Sequence, residues 1–181
     1  MQINVNSGSF HPDVGVDFGE YLTFTGESWR FASTPISITG PTAYLGLTFR
    51  TPPGNNYKSI YRFASYFKTG DELLNALIES PTPGGTQPAF TFTNLDQTST
   101  EVCPFTTLAF GSALTLTGGT TLTTSFVPGL GVGASQMGSA IQSTGFMVLK
   151  PDTLYGLKVQ ALGGATKISI VLNMSSIKIG V

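Results

Sequence analysis

The chain has 181 residues, enough for one domain with a real core. Charged residues make up 10% and the net charge is -1, against about 25% charged residues in ordinary soluble domains; with no Lys/Arg cluster to offset phosphate charge, nucleic acid is not expected as a partner. The single cysteine, Cys103, rules out an intrachain disulfide framework, and no apolar run approaches the ~20 residues of a membrane span, so no membrane partner is expected.

In chain order, residues 1–18 read as an extended N-terminal arm. Asn4, Asn6, Ser7, Gly8 and Ser9 precede the breaker Phe10-His11-Pro12-Asp13. Phe10, Val14, Val16 and Phe18 are apolar at roughly alternating positions, so the arm is expected to dock, either on its own domain as an edge strand or on a partner. Met1 to Val5 lacks the basic start and apolar stretch of a secretion signal, which fits a protein assembled in the cytoplasm and released by lysis.

Residues 19–181 read as a single β domain. Strands are predicted at Tyr21–Thr25, Ser28–Ser33, Ile36–Ile38, Ala43–Arg50 and Tyr57–Phe67, separated by Gly- and Pro-containing turns about every ten residues. In the last of these, Ile60, Arg62, Ala64 and Tyr66 alternate with Tyr61, Phe63, Ser65 and Phe67; both faces carry aromatics, which suits a central strand or a subunit interface. Asp71–Ser80 is locally ambiguous, because Leu73, Leu74, Leu77 and Ile78 stand at helical spacing among good helix formers. Further strands are predicted at Ala89–Thr93, Glu101–Phe110, Leu114–Leu116 and Thr120–Phe126, then a long Gly-rich loop over Pro128–Ser139 and a strand at Gly145–Leu149. The chain closes on a hairpin. Tyr155, Leu157, Val159 and Ala161 form the more apolar set of one strand, and Ile168, Ile170 and Leu172 that of the next, across Leu162-Gly163-Gly164-Ala165. The strand count fits a jelly-roll-like antiparallel β-sandwich.

Reactive chemistry is sparse. His11 is the only histidine, and no Gly-x-Ser-x-Gly elbow is present. Asp13, Asp17 and Glu20 are the densest acidic group, without the ligand spacing of a Ca²⁺ loop. The glycines of 129–134 lack the strand–helix context of a dinucleotide site. No cofactor, metal site or enzymatic activity is therefore expected, and Cys103, between Val102 and Pro104, reads as a small buried hydrophobe. Asp71, Glu72, Glu79, Asp96 and Glu101 remain as carboxylates that a glycan-cleaving site would have to pair. Trp29, Tyr57, Tyr61 and Tyr66 are the aromatics that could stack on a sugar or a partner, or pack in the core.

Several motifs recur in a familiar order. Thr51-Pro52-Pro53-Gly54 follows a strand; Glu79-Ser80-Pro81-Thr82 precedes Gly84-Gly85-Thr86; Leu149-Lys150-Pro151-Asp152-Thr153-Leu154-Tyr155 leads into the penultimate strand, and Ile168–Leu172 reads ISIVL. In this order the chain resembles the β-sandwich proteins that decorate the heads of tailed bacteriophages, over most of residues 40–173. The sequence departs from that pattern in three places. Asn94-Leu95-Asp96 is not followed by Arg, Met174 stands after Asn173 where an aromatic-acidic pair is usual, and Ile177–Val181 forms an extra tail. The resemblance favours a strand at Asp71–Ser80. It implies a structural virion protein on the outer surface of the phage head, bound to the major capsid protein as a homotrimer that stabilises the capsid. Capsid contact would then fall on Phe10, Val14, Val16 and Phe18, and oligomer contact on Ile60, Tyr61, Phe63 and Tyr66. The alternative is a tail or baseplate receptor-binding domain whose Gly129–Gly138 loop and exposed aromatics hold a host surface glycan.

Overall fold

A computed structural model of the chain describes residues 18–54, 56–69, 72–86, 88–127, 138–141 and 147–179. The described elements run α1 (Phe18–Phe24), β1 (Ser28–Ala32), β2 (Ile36–Ile38), β3 (Tyr44–Arg50), β4 (Tyr57–Thr69), β5 (Leu73–Glu79), β6 (Thr82–Gly84) and β7 (Thr93–Asn94). They continue with β8 (Thr106–Gly111), β9 (Thr115–Thr117), β10 (Thr120–Val127), β11 (Gly138–Ile141), β12 (Met147–Leu149), β13 (Leu154–Ala161) and β14 (Thr166–Lys178). All pairings are antiparallel. In the larger sheet β4 lies beside β14, β14 beside β1, and β1 beside β7; β11 and β12 share the free edge of β4, and β2 continues the β1 edge of β14. The smaller sheet has the order β10-β5-β13-β3-β8. The chain passes directly between these sheets at β2–β3, β3–β4, β4–β5, β7–β8, β10–β11, β12–β13 and β13–β14, so the architecture is a jelly-roll-like antiparallel β-sandwich. The last crossing corrects the expected terminal hairpin: β13 pairs with β3 and β5, and β14 with β4, β1 and β2.

Alternation builds the core. Along β14, Ile168, Ile170, Leu172 and Met174 are fully buried, and along the smaller sheet Leu45, Leu47, Phe49, Leu73, Leu77, Leu157 and Val159 are too. These two inner faces meet in one cluster, the arrangement expected when each strand presents every second residue to the core. One side of the sandwich is closed without a regular strand. Residues 89–105 contribute only a single bridge at Ala89 and the two-residue β7, so the strands predicted at Ala89–Thr93 and at the start of Glu101–Phe110 do not form. The segment is instead a chain of ring contacts: Phe90 with Phe31 and Phe92, and Phe105 with Phe92 and Phe49. Pro104, which has no N–H to donate, stands just before β8 begins.

Two further segments depart from expectation. Tyr21–Thr25 is not a strand: Tyr21 to Phe24 end α1, and Thr25 lies in the turn that follows. The signal lay just beyond it: Gly26 adopts φ 70°, Glu27 N–H bonds to Leu22 C=O at 2.9 Å and Gly26 N–H to Thr23 C=O at 3.1 Å. This is the paired closure with which a left-handed glycine ends a helix. In the other, Asp71–Ser80 contains β5, the strand that the resemblance favoured over the local helical spacing. Leu73 and Leu77 stand four apart, a distance that puts two residues on one face of a helix and also on one face of a strand. Pairing to β10 on one side and β13 on the other decides between them.

Strand β4 is irregular at its centre. Its register with β14 runs Met174 to Tyr61 and Asn173 to Phe63, leaving Arg62 as an extra residue, a β-bulge. On the N-terminal side the odd-numbered Ser59 and Tyr61 are buried; on the far side the even-numbered Lys68 is buried opposite Ile168. The inward positions therefore pass from odd to even between Tyr61 and Lys68.

The outer face of the smaller sheet is partly covered by the ribbon β6–β9, with Leu114 and Leu116 buried against it. Gly46 lets this cover approach: a Cβ there would lie 2.9 Å from the Leu114 carbonyl oxygen. Tyr44 fastens it, accepting the Leu116 N–H on its hydroxyl at 2.8 Å while Lys158 Nζ stands 4.6 Å over its ring.

The motifs Thr51-Pro52 and Lys150-Pro151-Asp152-Thr153 meet in one turn. The buried Thr51 hydroxyl donates to Lys150 C=O at 2.7 Å and accepts from Thr153 N–H at 3.0 Å. Asp152 N–H reaches Pro52 C=O, Lys150 N–H reaches the Tyr155 hydroxyl at 2.9 Å, and Lys150 Nζ meets Glu79 at 2.6 Å. Thr51→Val keeps the shape and strands a buried donor and acceptor, so a loss of about 2–3 kcal/mol is expected in urea unfolding. Ile170→Ala, at the centre of β14, should lose about 3–4 kcal/mol by transfer and cavity terms; a loss below about 1 kcal/mol would show that the strand is not the centre of the core.

Candidate functional site

Both ends of the described chain converge at one mouth of the sandwich. There a cleft of about 190 Å³ is walled by the α1–β1 turn, the start of β4, the end of β14 and residues 101–104. Trp29, 4% exposed, contributes from β1, and Tyr21 and Tyr57, both half-buried, also line it. Tyr57 and Lys178 are cross-strand partners, as are Ser59 and Ser176.

The polar side of the cleft is a connected network. Lys178 Nζ donates to both oxygens of Glu101, at 2.8 and 2.7 Å, and this partner pushes the lysine pKa up, so it stays protonated. Glu27 accepts from Lys178 N–H at 2.9 Å on one oxygen and from the Thr25 hydroxyl at 2.9 Å on the other. Ser176 N–H bonds to Glu27 C=O at 2.9 Å. Its own hydroxyl is different: Ser176 is 3% exposed, lines the cleft, and its Oγ makes no hydrogen bond. Val102 stands at the rim, 83% exposed.

A second, shallower groove runs beside β1 where β7 ends, lined by Arg30, Phe31, Phe90 and Thr93. Arg30 Nε there donates to Asn173 Oδ1 at 3.0 Å.

The residues singled out in the sequence are distributed as follows. Phe10, Val14 and Val16 lie outside the described residues; Phe18 opens α1, and its side chain lies outside the described ones, as do those of Phe63 and Tyr66. Ile60 and Tyr61 are buried within the protomer. Ile60 stands in the cross-strand row Ser28, Ser175, Ile60, Val148, of which only Val148 is exposed. Trp29 and Tyr57 come together in the cleft, whereas Tyr61 packs in the core. Of the carboxylates, Glu79 pairs with Lys150, Glu101 with Lys178, and Asp96 accepts from Thr98 N–H and its hydroxyl, which lowers the Asp96 pKa; Asp71 lies outside the described residues. Among the described residues no group of three or more His, Cys, Asp or Glu could hold a metal ion, and no helix is long and apolar enough to cross a membrane. Glu27, Ser176 and Lys178 were missed in the sequence. Ser176 and Lys178 belong to the end of β14, part of which reads as a tail, and nothing local marks Glu27.

No protein-family model, curated protein or solved structure matches this chain.

Cys103 is partly buried against the core beside this mouth, its thiol directed to Phe105 C=O at 3.9 Å. Burial pushes its pKa up to about 11 from an ordinary 9.0. Above the ordinary value the unfolded chain gives up this proton while the folded chain keeps it, so the unfolded state binds fewer protons and stability falls with rising pH. Between about pH 9 and 11 the wild type should lose stability more steeply than Cys103→Ala. Denaturant midpoints of the two proteins across that window check this; parallel curves would mean the thiol is not desolvated.

Proposed function

We propose that this chain is a structural virion protein of a tailed phage, a decoration protein that binds the major capsid protein on the outside of the head as a homotrimer. It acts mechanically, by bridging neighbouring capsomers so that buried interface area resists the outward pressure of packaged DNA. The observation that carries this reading is a weakly charged antiparallel sandwich that leaves large apolar side chains on its surface: Phe24, Val102, Phe126 and Val148 are each more than half exposed. Scattered exposed apolar groups are ordinary; with so few charges around them, they suit a surface covered in an assembly. The meeting of Thr51-Pro52 with the Lys150–Tyr155 turn gives the sequence resemblance a common structural location, since two of its motifs belong to one hydrogen-bonded unit. The arm at residues 1–18 remains the proposed capsid-binding element, with Phe10, Val14, Val16 and Phe18 burying apolar area at ~25 cal/mol per Å².

Electron microscopy of particles carrying the chain tests the reading directly. Copies at local threefold positions of the head lattice are expected; copies confined to the tail, or none in the particle, would overturn it. The contact should also tolerate salt, because apolar burial is little screened. Occupancy should change less than about threefold between low and high ionic strength, whereas a steep loss would assign the contact to charges such as Arg30, Arg50 and Lys58.

A further inference from the structure

We propose that the cleft at the mouth of the sandwich is a saccharide subsite that takes one neutral sugar ring through Tyr21, Tyr57, Glu101, Ser176 and Lys178. This rests on the cleft itself and stands whether or not the chain decorates a capsid. At about 190 Å³ the cleft is smaller than the ~300 Å³ at which sites for drug-sized ligands begin, which matches a single ring.

The lining has the two chemistries a pyranose needs. A sugar ring has a face of C–H groups, which packs on an aromatic side chain, and a rim of hydroxyls, each both donor and acceptor. Tyr21 and Tyr57 offer the aromatic surface. Glu101 offers acceptor lone pairs beyond those used by Lys178, and the Lys178 ammonium, with three protons, retains one beyond the two directed at Glu101. The second, independent observation is Ser176. A buried hydroxyl without a partner costs free energy, and this one borders the cleft. A ligand hydroxyl there would satisfy it.

Charge selects among ligands. Glu27 and Glu101 against Lys178 leave the described lining with an excess of one negative charge, which disfavours phosphate, sulfate and acidic sugars. Both carboxylates already accept protein donors, Glu27 from two separate groups and Glu101 from the Lys178 ammonium alone; Glu101 is the more exposed of the two and so the one more open to a ligand. A neutral hexose or N-acetylhexosamine is the class that fits.

The test uses the full chain and nuclear magnetic resonance titration with glucose, galactose, mannose, N-acetylglucosamine and N-acetylgalactosamine, with glycerol as control. At least one sugar should shift the amides of Glu27, Ser176 and Lys178, with a dissociation constant on the order of millimolar. Glu101→Gln, an exposed position, should weaken binding about tenfold. Ser176→Ala is the diagnostic variant: removing an unsatisfied hydroxyl should leave the thermal midpoint unchanged or raised, yet weaken binding at least about threefold. Tyr57→Ala should abolish binding, and if it fails to fold the other two variants decide. The proposal is overturned if no sugar shifts these amides, if glycerol shifts them equally, or if Glu101→Gln and Ser176→Ala bind like the wild type.

Discussion

Strand β14 is the constraint on which the rest of the sandwich depends. It runs from Thr166 to Lys178, pairs with β4 along nearly its whole length, and carries β1 and β2 in succession on its other edge. Its inward row of Ile168, Ile170, Leu172 and Met174 is fully buried against the smaller sheet. Because the side-chain period is two, any slip by one residue would send that row outward, so burial fixes the register of β4, β1 and β2 together. The joint between β1 and β2 is also held by β14: Ser33 N–H bonds to Ile170 C=O, Ile170 N–H to the Ser33 hydroxyl, and the Ser169 hydroxyl to Ser33 C=O at 2.6 Å. Those bonds keep the edge attached where Pro35 contributes no donor.

Legibility in the sequence followed the strength of the alternation. β13 and β14 have clean alternation, so their inward residues could be read directly; their partners could not, because the Gly-Gly turn carries the chain from one sheet to the other instead of closing a hairpin. β4 was read as a strand but not as a bulged one, since an extra residue breaks parity without leaving a compositional mark. The Phe90–Phe105 segment was read as strands because aromatic and Thr-rich runs favour sheets; its rings pack, but its backbone pairs as a strand only through the two-residue β7. α1 was missed because Tyr, Leu, Thr and Phe are also good strand residues, and the deciding feature was the single Gly26 after them. Trp29 and Tyr57 of the cleft were visible as aromatics that could face a ligand. Ser176 and Lys178 are far from both in sequence, and only the β1–β14–β4 pairing brings them close.

Low charge shapes how the surface is held together. With 9 basic and 10 acidic side chains in the whole chain, few ion pairs can form, and among the described residues three stand at junctions between elements: Arg50 with Asp152, Lys150 with Glu79, and Lys178 with Glu101. Each is too exposed to contribute much stability alone. Their shared effect is positional, since each ties a turn or strand end to a segment distant in sequence. Hydroxyls do the corresponding work in buried places, as Thr51 does at the Lys150–Thr153 turn. A Thr- and Ser-rich chain can satisfy backbone groups this way without burying charge.

The bulge at Arg62 links the fold to the cleft. On the N-terminal side of the bulge the inward positions of β4 are odd-numbered, which places Tyr57 and Ser59 on the same face as Ser176 and Lys178 of β14. Without the extra residue, the parity set by the far half of β4 would carry through to the mouth, and Lys58 and Ile60 would take the inward places instead. The cleft would then lose Tyr57 and gain a second cation beside Lys178. One extra residue, at the centre of the longest strand pair, thus decides whether that end of the sandwich offers an aromatic, hydrogen-bonding surface or a basic one.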